Sequence, residues 1–322
     1  MNKYSITSND VKLYKHLDKL KSIQDHKPRP IMLHFSPTNK CNRKCVHCCF
    51  EHREKNISLP WDISKRAIKD FYDLGITGLE FTGGGEPTFY ENVNDAIDYC
   101  SELGLSVGMN TNALSIDKVD DWSKLSWVRV ALNIIDDDGV DDILPKFMDA
   151  VSELKKHTSV TACYIAPKEI GDRNVGKVVE LANKLEIPSR IAPDCIQTRD
   201  DIRSMIDILT EKVAEYANNE YCFCSDFNVY LFERPHDTCM IHMIKPFLYT
   251  DGWIYACPSS ELAIENGRTM NPRFRICRVE DVSEYYHNNF DVKSFDCSYC
   301  KYALQNNILR ALIEETDNND FA

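Results

Sequence analysis

Cys41, Cys45 and Cys48 lie in one short run, Cys41-Asn42-Arg43-Lys44-Cys45-Val46-His47-Cys48. Three thiolates so closely spaced can hold three irons of a cubic four-iron, four-sulfur cluster. Such a cluster normally takes four cysteines. A three-cysteine loop therefore leaves one iron open to a small molecule that can receive an electron. Zinc and buried free thiols are the other readings. Zinc favours four ligands, usually as two separated pairs, and CxxxCxxC suits it poorly.

A second chemical pattern follows in Thr82-Gly83-Gly84-Gly85-Glu86-Pro87. Glycines at a strand end let a ligand come close to the backbone. The alternative is a glycine turn with a surface acid. A third pattern lies near the C-terminus. Cys239 is followed by Gly252, Cys257 and the pair Cys297-Ser298-Tyr299-Cys300. A hairpin with a cysteine at each outer end, plus a CxxC, can bring four thiolates together, enough for a complete cluster or for tetrahedral zinc.

The elements that must position these groups alternate between strand and helix. Strand signals fall at Ile31–Pro37, Gly78–Thr82, Leu105–Asn110, Trp127–Ile135, Ser159–Ile165 and Ser189–Ile196. Helical periodicity falls at Ile63–Leu74, Val93–Leu103, Ile143–Leu154, Val175–Leu185 and Ile202–Ala217. This is the alternation of a parallel sheet with crossover helices. Ligands bind such sheets at the carboxyl ends of the strands, where the cysteine loop and the glycine run both fall. After residue 220 the helical period fades. Short aromatic runs flank Asp251-Gly252, a hairpin signal. The expected domains are a helical lead-in over 1–30, an α/β unit over 31–220 and a smaller domain over 221–322.

Composition narrows the function classes. Fourteen cysteines without a signal-peptide pattern read as metal ligands or reactive groups in a cytoplasmic chain. No run of eighteen apolar residues is present, so no membrane span is expected. A net charge of −12 argues against extended nucleic acid as a partner.

The CxxxCxxC loop followed by Gly84-Gly85-Glu86 resembles the radical SAM superfamily. That resemblance implies a partial (β/α)6 TIM-like barrel in which S-adenosylmethionine (SAM) chelates the open iron through its amino and carboxylate groups. It implies that Gly84, Gly85 and Glu86 grip the SAM amino group and that His47 lies near the adenine. Asn112, in a turn resembling Thr-Asn-Gly with Ala113 in place of glycine, is a further SAM candidate. So is Asn133, where the family commonly has aspartate, and so is Arg190 on the sixth strand, for the SAM carboxylate. The later cysteines resemble the twitch domain, a shortened SPASM domain. This implies a small hairpin-plus-helix domain whose Cys239, Cys257, Cys297 and Cys300 hold an auxiliary [4Fe-4S] cluster.

The implied activity is reductive cleavage of SAM to a 5′-deoxyadenosyl radical, which abstracts hydrogen from a substrate. A low-potential donor such as flavodoxin or ferredoxin would supply the electron. The outcome is expected to be oxidation or another C–H modification of a small molecule or peptide. Peptide crosslinking or epimerisation is the alternative within the family. A non-catalytic zinc or iron–sulfur protein is the alternative outside it. Cys277 is a candidate hydrogen donor to a substrate radical, although a packed, inert thiol is the preferred reading.

Overall fold

A computed structural model describes residues 10–168, 172–194, 196–216, 218–224, 238–258, 266–288, 291–295, 300 and 302–314. Seven parallel strands run in sequence order: β1 (Met32–Phe35), β2 (Gly78–Phe81), β3 (Ser106–Thr111), β4 (Trp127–Ala131), β5 (Ser159–Ala166), β6 (Ser189–Pro193) and β7 (Cys222–Cys224). The crossovers carry α2 (Trp61–Asp73), α3 (Val93–Glu102), α4 (Val140–His157), α5 (Val175–Leu185) and α6 (Arg199–Ala214); α1 (Leu17–Gln24) precedes them.

Side-chain alternation explains how the layers form. On one face of the sheet lie Leu33, Phe35, Leu79, Phe81, Val107, Met109, Val128 and Val130, all buried. They pack against the apolar stripes of the helices, such as Ala67, Ile68 and Phe71 of α2. Each fully buried Leu, Phe or Val contributes about 1.5–3 kcal/mol, so this layer holds the fold. Gly104 ends α3 with φ of 73°, a backbone state in which other residues are strained.

The other face is polar. It carries His34, Glu80, Asn110, Arg129, Thr161, Cys163 and Arg190, one or two from each of β1 to β6. In a flat sheet β2 and β6 would stand about 19 Å apart, yet Glu80 acts electrostatically on Arg190. The sheet therefore curls around a polar lumen, the partial barrel that the family resemblance implied. TIM-barrel interiors are normally packed with branched aliphatic side chains, so a polar lumen marks a space for ligands.

Two expectations need correction. Residues 132–136 leave the sheet as a 3-10 turn, so β4 ends at Ala131 rather than Ile135. The hairpin of β9 (Phe247–Leu248) and β10 (Trp253–Tyr255) does not form a separate sheet. β9 pairs in parallel with β1, and β11 (Arg275–Arg278) pairs with β10, giving the ten-strand order β11-β10-β9-β1-β2-β3-β4-β5-β6-β7. Strands from both sides of residue 220 thus share one sheet. A short hairpin is marginal alone, and the free edge of β1 gives it partners. The pair β8 (Thr238–Cys239) and β12 (Lys293–Ser294) lies apart, while α7 (Val282–Asn288) and α8 (Ala303–Ile313) complete the described residues.

Candidate active site

The cysteine loop leaves β1 at the carboxyl edge of the sheet and returns to α2 through a pinched neck. Asn39 N–H donates to Ile57 O (2.8 Å), Leu59 N–H to Pro37 O (2.8 Å), and the Thr38 and Ser58 hydroxyls pair at 2.7 Å. Two arginines then set the loop's interior. Buried Arg53 donates to Asn39 O (3.0 Å), Phe50 O (2.7 Å) and Cys48 Sγ (3.6 Å). Arg268, from the segment after β10, donates to Val46 O (2.8 Å) and Cys48 O (2.7 Å) and pairs with Glu51. Arg268 holds φ of 65°, a strained backbone fixed by these contacts.

The three thiols act on one another electrostatically. Burial pushes the Cys45 thiol up to about 11 and raises Cys41 as well, although Cys41 keeps an exposed surface. Burial lowers His47 to about 4, so its ring is neutral near pH 7, and its Nδ1 is sealed from solvent without a partner. Arg43 bridges the loop to Asn133 O (3.0 Å) and Asp137, and its Nη1 is also sealed and unpartnered. Among the described residues no three cysteine, histidine or acidic side chains converge on a single metal ion. A cube spreads its thiolates over separate irons and does not require that convergence.

Gly84-Gly85-Glu86 lies directly against the loop. Gly84 N–H donates to Ser36 Oγ (2.8 Å), Gly85 N–H to Thr38 O (2.9 Å) and Glu86 N–H to Lys40 O (2.8 Å). A Cβ on Gly85 would strike the Lys40 carbonyl, and one on Gly84 would strike Asn39 Oδ1. These glycines therefore admit the cysteine loop itself.

Glu86 is 4% exposed, and its carboxylate is largely committed within the protein. Oε1 accepts from Thr111 Oγ1 (2.6 Å) and Thr88 Oγ1 (3.1 Å), and Oε2 from Asn112 N–H (2.8 Å). Burial raises its pKa, opposed by those hydrogen bonds. Asn112 in turn donates to Asn42 Oδ1 (2.7 Å) and accepts from Leu114 N–H (3.0 Å). Ala113 adopts φ of 58°, the left-handed state that suits a glycine. One lattice thus ties the cysteine loop, Glu86 and the end of β3.

Asn133 lies just after β4 and is bonded within the protein. Its amide donates to Ile165 O (2.7 Å) and Asp136 Oδ2 (2.8 Å) and accepts from Ile165 N–H (3.0 Å). Both N–H donors are taken, so this side chain brackets β4 to β5. Arg190 faces Cys163, Glu80 and Tyr302 rather than the cysteine loop, and Cys163 has the largest effect on its pKa, which is raised. Of the lumenal set, reading residues one at a time singled out only Arg190. Polar residues at every second position of otherwise apolar parallel strands were the available signal.

Of the later cysteines, Cys239 pairs with Lys293 between β8 and β12, and Cys257 is buried just beyond β10. Both join the apolar cluster that also holds Cys48, Cys49 and Phe50. Cys300 precedes α8, and Cys297 lies outside the described residues. Cys277 sits on β11, paired with Ile254 and packed in the main core with Tyr285 and Tyr286. Burial raises its thiol to about 12, as befits a packed cysteine away from the lumen.

Residues 35–182, which run from the end of β1 through the cysteine loop and the glycine run to beyond β5, match the Radical SAM superfamily. The part of the chain that carries the cysteine loop and the glycine run belongs to the radical SAM superfamily. Radical SAM proteins use SAM and a [4Fe-4S] cluster. Fe-coproporphyrin III synthase of Methanosarcina barkeri is 30% identical over 138 residues, covering 42% of this chain and 33% of that protein. The match thus spans about a third of that curated relative. Two solved structures share the fold, each with a TM-score of 0.57. Streptococcus suis SuiB bound to precursor peptide SuiA is 15% identical, covering 86% of this chain and 70% of that one. The enzyme anSMEcpe with bound AdoMet and a Cp18Cys peptide is 13% identical, covering 91% and 86%.

Proposed function

We propose that this radical SAM protein cleaves SAM reductively and modifies a C–H bond of a substrate held in the polar lumen. The observation that carries the reading is the seating of Cys41, Cys45 and Cys48 against Gly84–Glu86 at the carboxyl edge of the parallel sheet. The donor set fits the cofactor pair. Three thiols suit three irons, and the sealed, unpartnered His47 Nδ1 and Arg43 Nη1 offer polar contacts beside them. When bound, the cluster and SAM supply one-electron cleavage of the sulfonium and hydrogen abstraction.

The chain's own residues hold and shield that chemistry. Arg53 and Arg268 fix the loop, with Arg53 directing a donor at the Cys48 sulfur, a contact that tunes cluster potential. Glu86 and Asn112 hold the strand ends that face the ligand. His47 can lay a neutral ring against the adenine. Cys239, Cys257, Cys297 and Cys300 are assigned to an auxiliary [4Fe-4S] cluster. An external low-potential donor supplies the electron.

A peptide substrate is the reading favoured over a small molecule, because both structures similar in fold hold a peptide. Anaerobically reconstituted protein should contain about eight irons, from two four-iron clusters. Replacing Cys41, Cys45 and Cys48 by alanine should abolish 5′-deoxyadenosine formation and leave about four irons. Unchanged turnover in that variant would refute the site.

A further inference from the structure

The wall of the lumen carries an arrangement not used so far. Cα register places Arg129 opposite Thr161 and Cys163 opposite Arg190, so the four side chains share one face of β4, β5 and β6. Arg190 makes one hydrogen bond to a described residue, Nη2 to Cys163 Sγ at 3.5 Å. Its Nε is sealed from solvent without a partner among the described residues, and so is Thr161 Oγ1. Sealed donors without partners are costly to a fold, and an arginine presents five N–H groups in a fixed fork.

The nearby carboxylate does not meet this need. Glu80 Oε1 accepts from Asn110 Nδ2 at 2.7 Å, and its Oε2 faces His34 Nδ1 at 3.6 Å. Arg129 is half-buried and acts electrostatically on Arg190, and each arginine's neighbours include Glu80 and Cys163. Two guanidinium groups and a hydroxyl on adjacent strands make a receptor for a planar two-oxygen anion, which an arginine fork grips bidentately.

We propose that Arg190, supported by Arg129 and Thr161, binds a carboxylate of the substrate. This rests on the lumen being the substrate site of the radical SAM reading. The SAM carboxylate is the competing source of the same chemistry. Because it chelates the open iron, it must lie beside Cys41, Cys45 and Cys48. The charged groups that act on Arg190 come from the lumen and from Tyr302, not from that loop. The assignment of Arg190 to SAM therefore gives way to one in which it selects an acidic peptide side chain, a C-terminal carboxylate or a small acid.

The test uses cluster-loaded full chain with SAM present and glutarate as the probe. Neutral glutaramide serves as its control, and binding is read by saturation transfer from protein to probe. Glutarate should bind and glutaramide should not. Arg190→Gln should weaken glutarate at least about tenfold more than it weakens SAM. Arg190→Lys should restore part of the glutarate affinity, and Thr161→Val, close in shape, should weaken it without unfolding the chain. Equal binding of glutarate and glutaramide overturns the proposal. So does glutarate affinity unchanged in Arg190→Gln and Thr161→Val, or a loss of SAM affinity as large as that of glutarate. Wild-type protein that binds glutarate but yields no 5′-deoxyadenosine under reduction would instead sink the radical reading and leave the anion site standing.

Discussion

Replacing Glu86 separates a carboxylate that organises the site from one that holds SAM directly. In Glu86→Ala the Asn112 N–H loses its acceptor inside a buried strand end, and the Thr111 and Thr88 hydroxyls lose theirs. Hydrogen bonds to a charged group contribute about 1.5–3 kcal/mol each. The threonine hydroxyls can turn to other acceptors, but the backbone N–H cannot. Removing a buried charge returns part of the loss, so the net cost is about 3 kcal/mol. Glu86→Gln keeps an oxygen for Asn112 and should cost about 1 kcal/mol.

Denaturant unfolding of the metal-free chain reads both values, and equilibrium SAM binding to the loaded protein reads the site. SAM affinity should fall with stability, more in the alanine variant than in the glutamine variant. Because burial raises the Glu86 pKa in the folded state, its charged form is disfavoured there. Native stability should thus gain as pH falls from above that folded value toward the ordinary carboxylate range, and Glu86→Gln should remove this gain. An alanine variant within ~0.5 kcal/mol of wild type would refute the lattice. So would a glutamine variant of intact stability that binds no SAM.

Four further outcomes follow from other parts of the structure. Arg53→Met removes donors from Asn39 O, Phe50 O and Cys48 Sγ. It should cost about 2–3 kcal/mol and lower the cluster's reduction potential in an EPR-monitored titration. Gly104→Ala should cost about 1 kcal/mol from its left-handed backbone alone, since nothing crowds its Cβ. Gly85→Ala should cost more and also reduce iron loading, because its Cβ meets the loop. His34 and His242 are held neutral, with pKa values lowered by burial to about 4 and about 3. The unfolded chain takes up those protons first, so stability should fall as pH drops from about 6.5 towards 4. The slope is about 1.4 kcal/mol per pH unit for each such histidine, His47 among them, and His242→Phe should remove roughly a third of the fall in unfolding free energy.

Local signals carried a large part of this protein. The spacing of Cys41, Cys45 and Cys48 is a matter of a few bonds, and no fold is needed to see that three thiols lie close together. The alternation of β1 to β6 with α2 to α6 is equally local, because a helix or a buried strand writes its period into its own residues. Gly104 as a helix stop belongs here too. Tertiary structure decided what depends on partners far along the chain. The hairpin after residue 246 carries its own turn signal, but only the unpaired edge of β1 made it part of the barrel sheet. Asn133 has the chemistry of a ligand contact until Ile165, on another strand, takes its amide. Glu86, expected from the sequence to grip SAM, became a buried hub once Thr111 and Asn112 closed over it. Arg268 reaches Cys48 across 220 residues, a contact that no periodicity announces. Periods and spacings record how a segment relates to itself. Which polar groups remain available for a ligand is settled only when distant strand ends are brought to one edge.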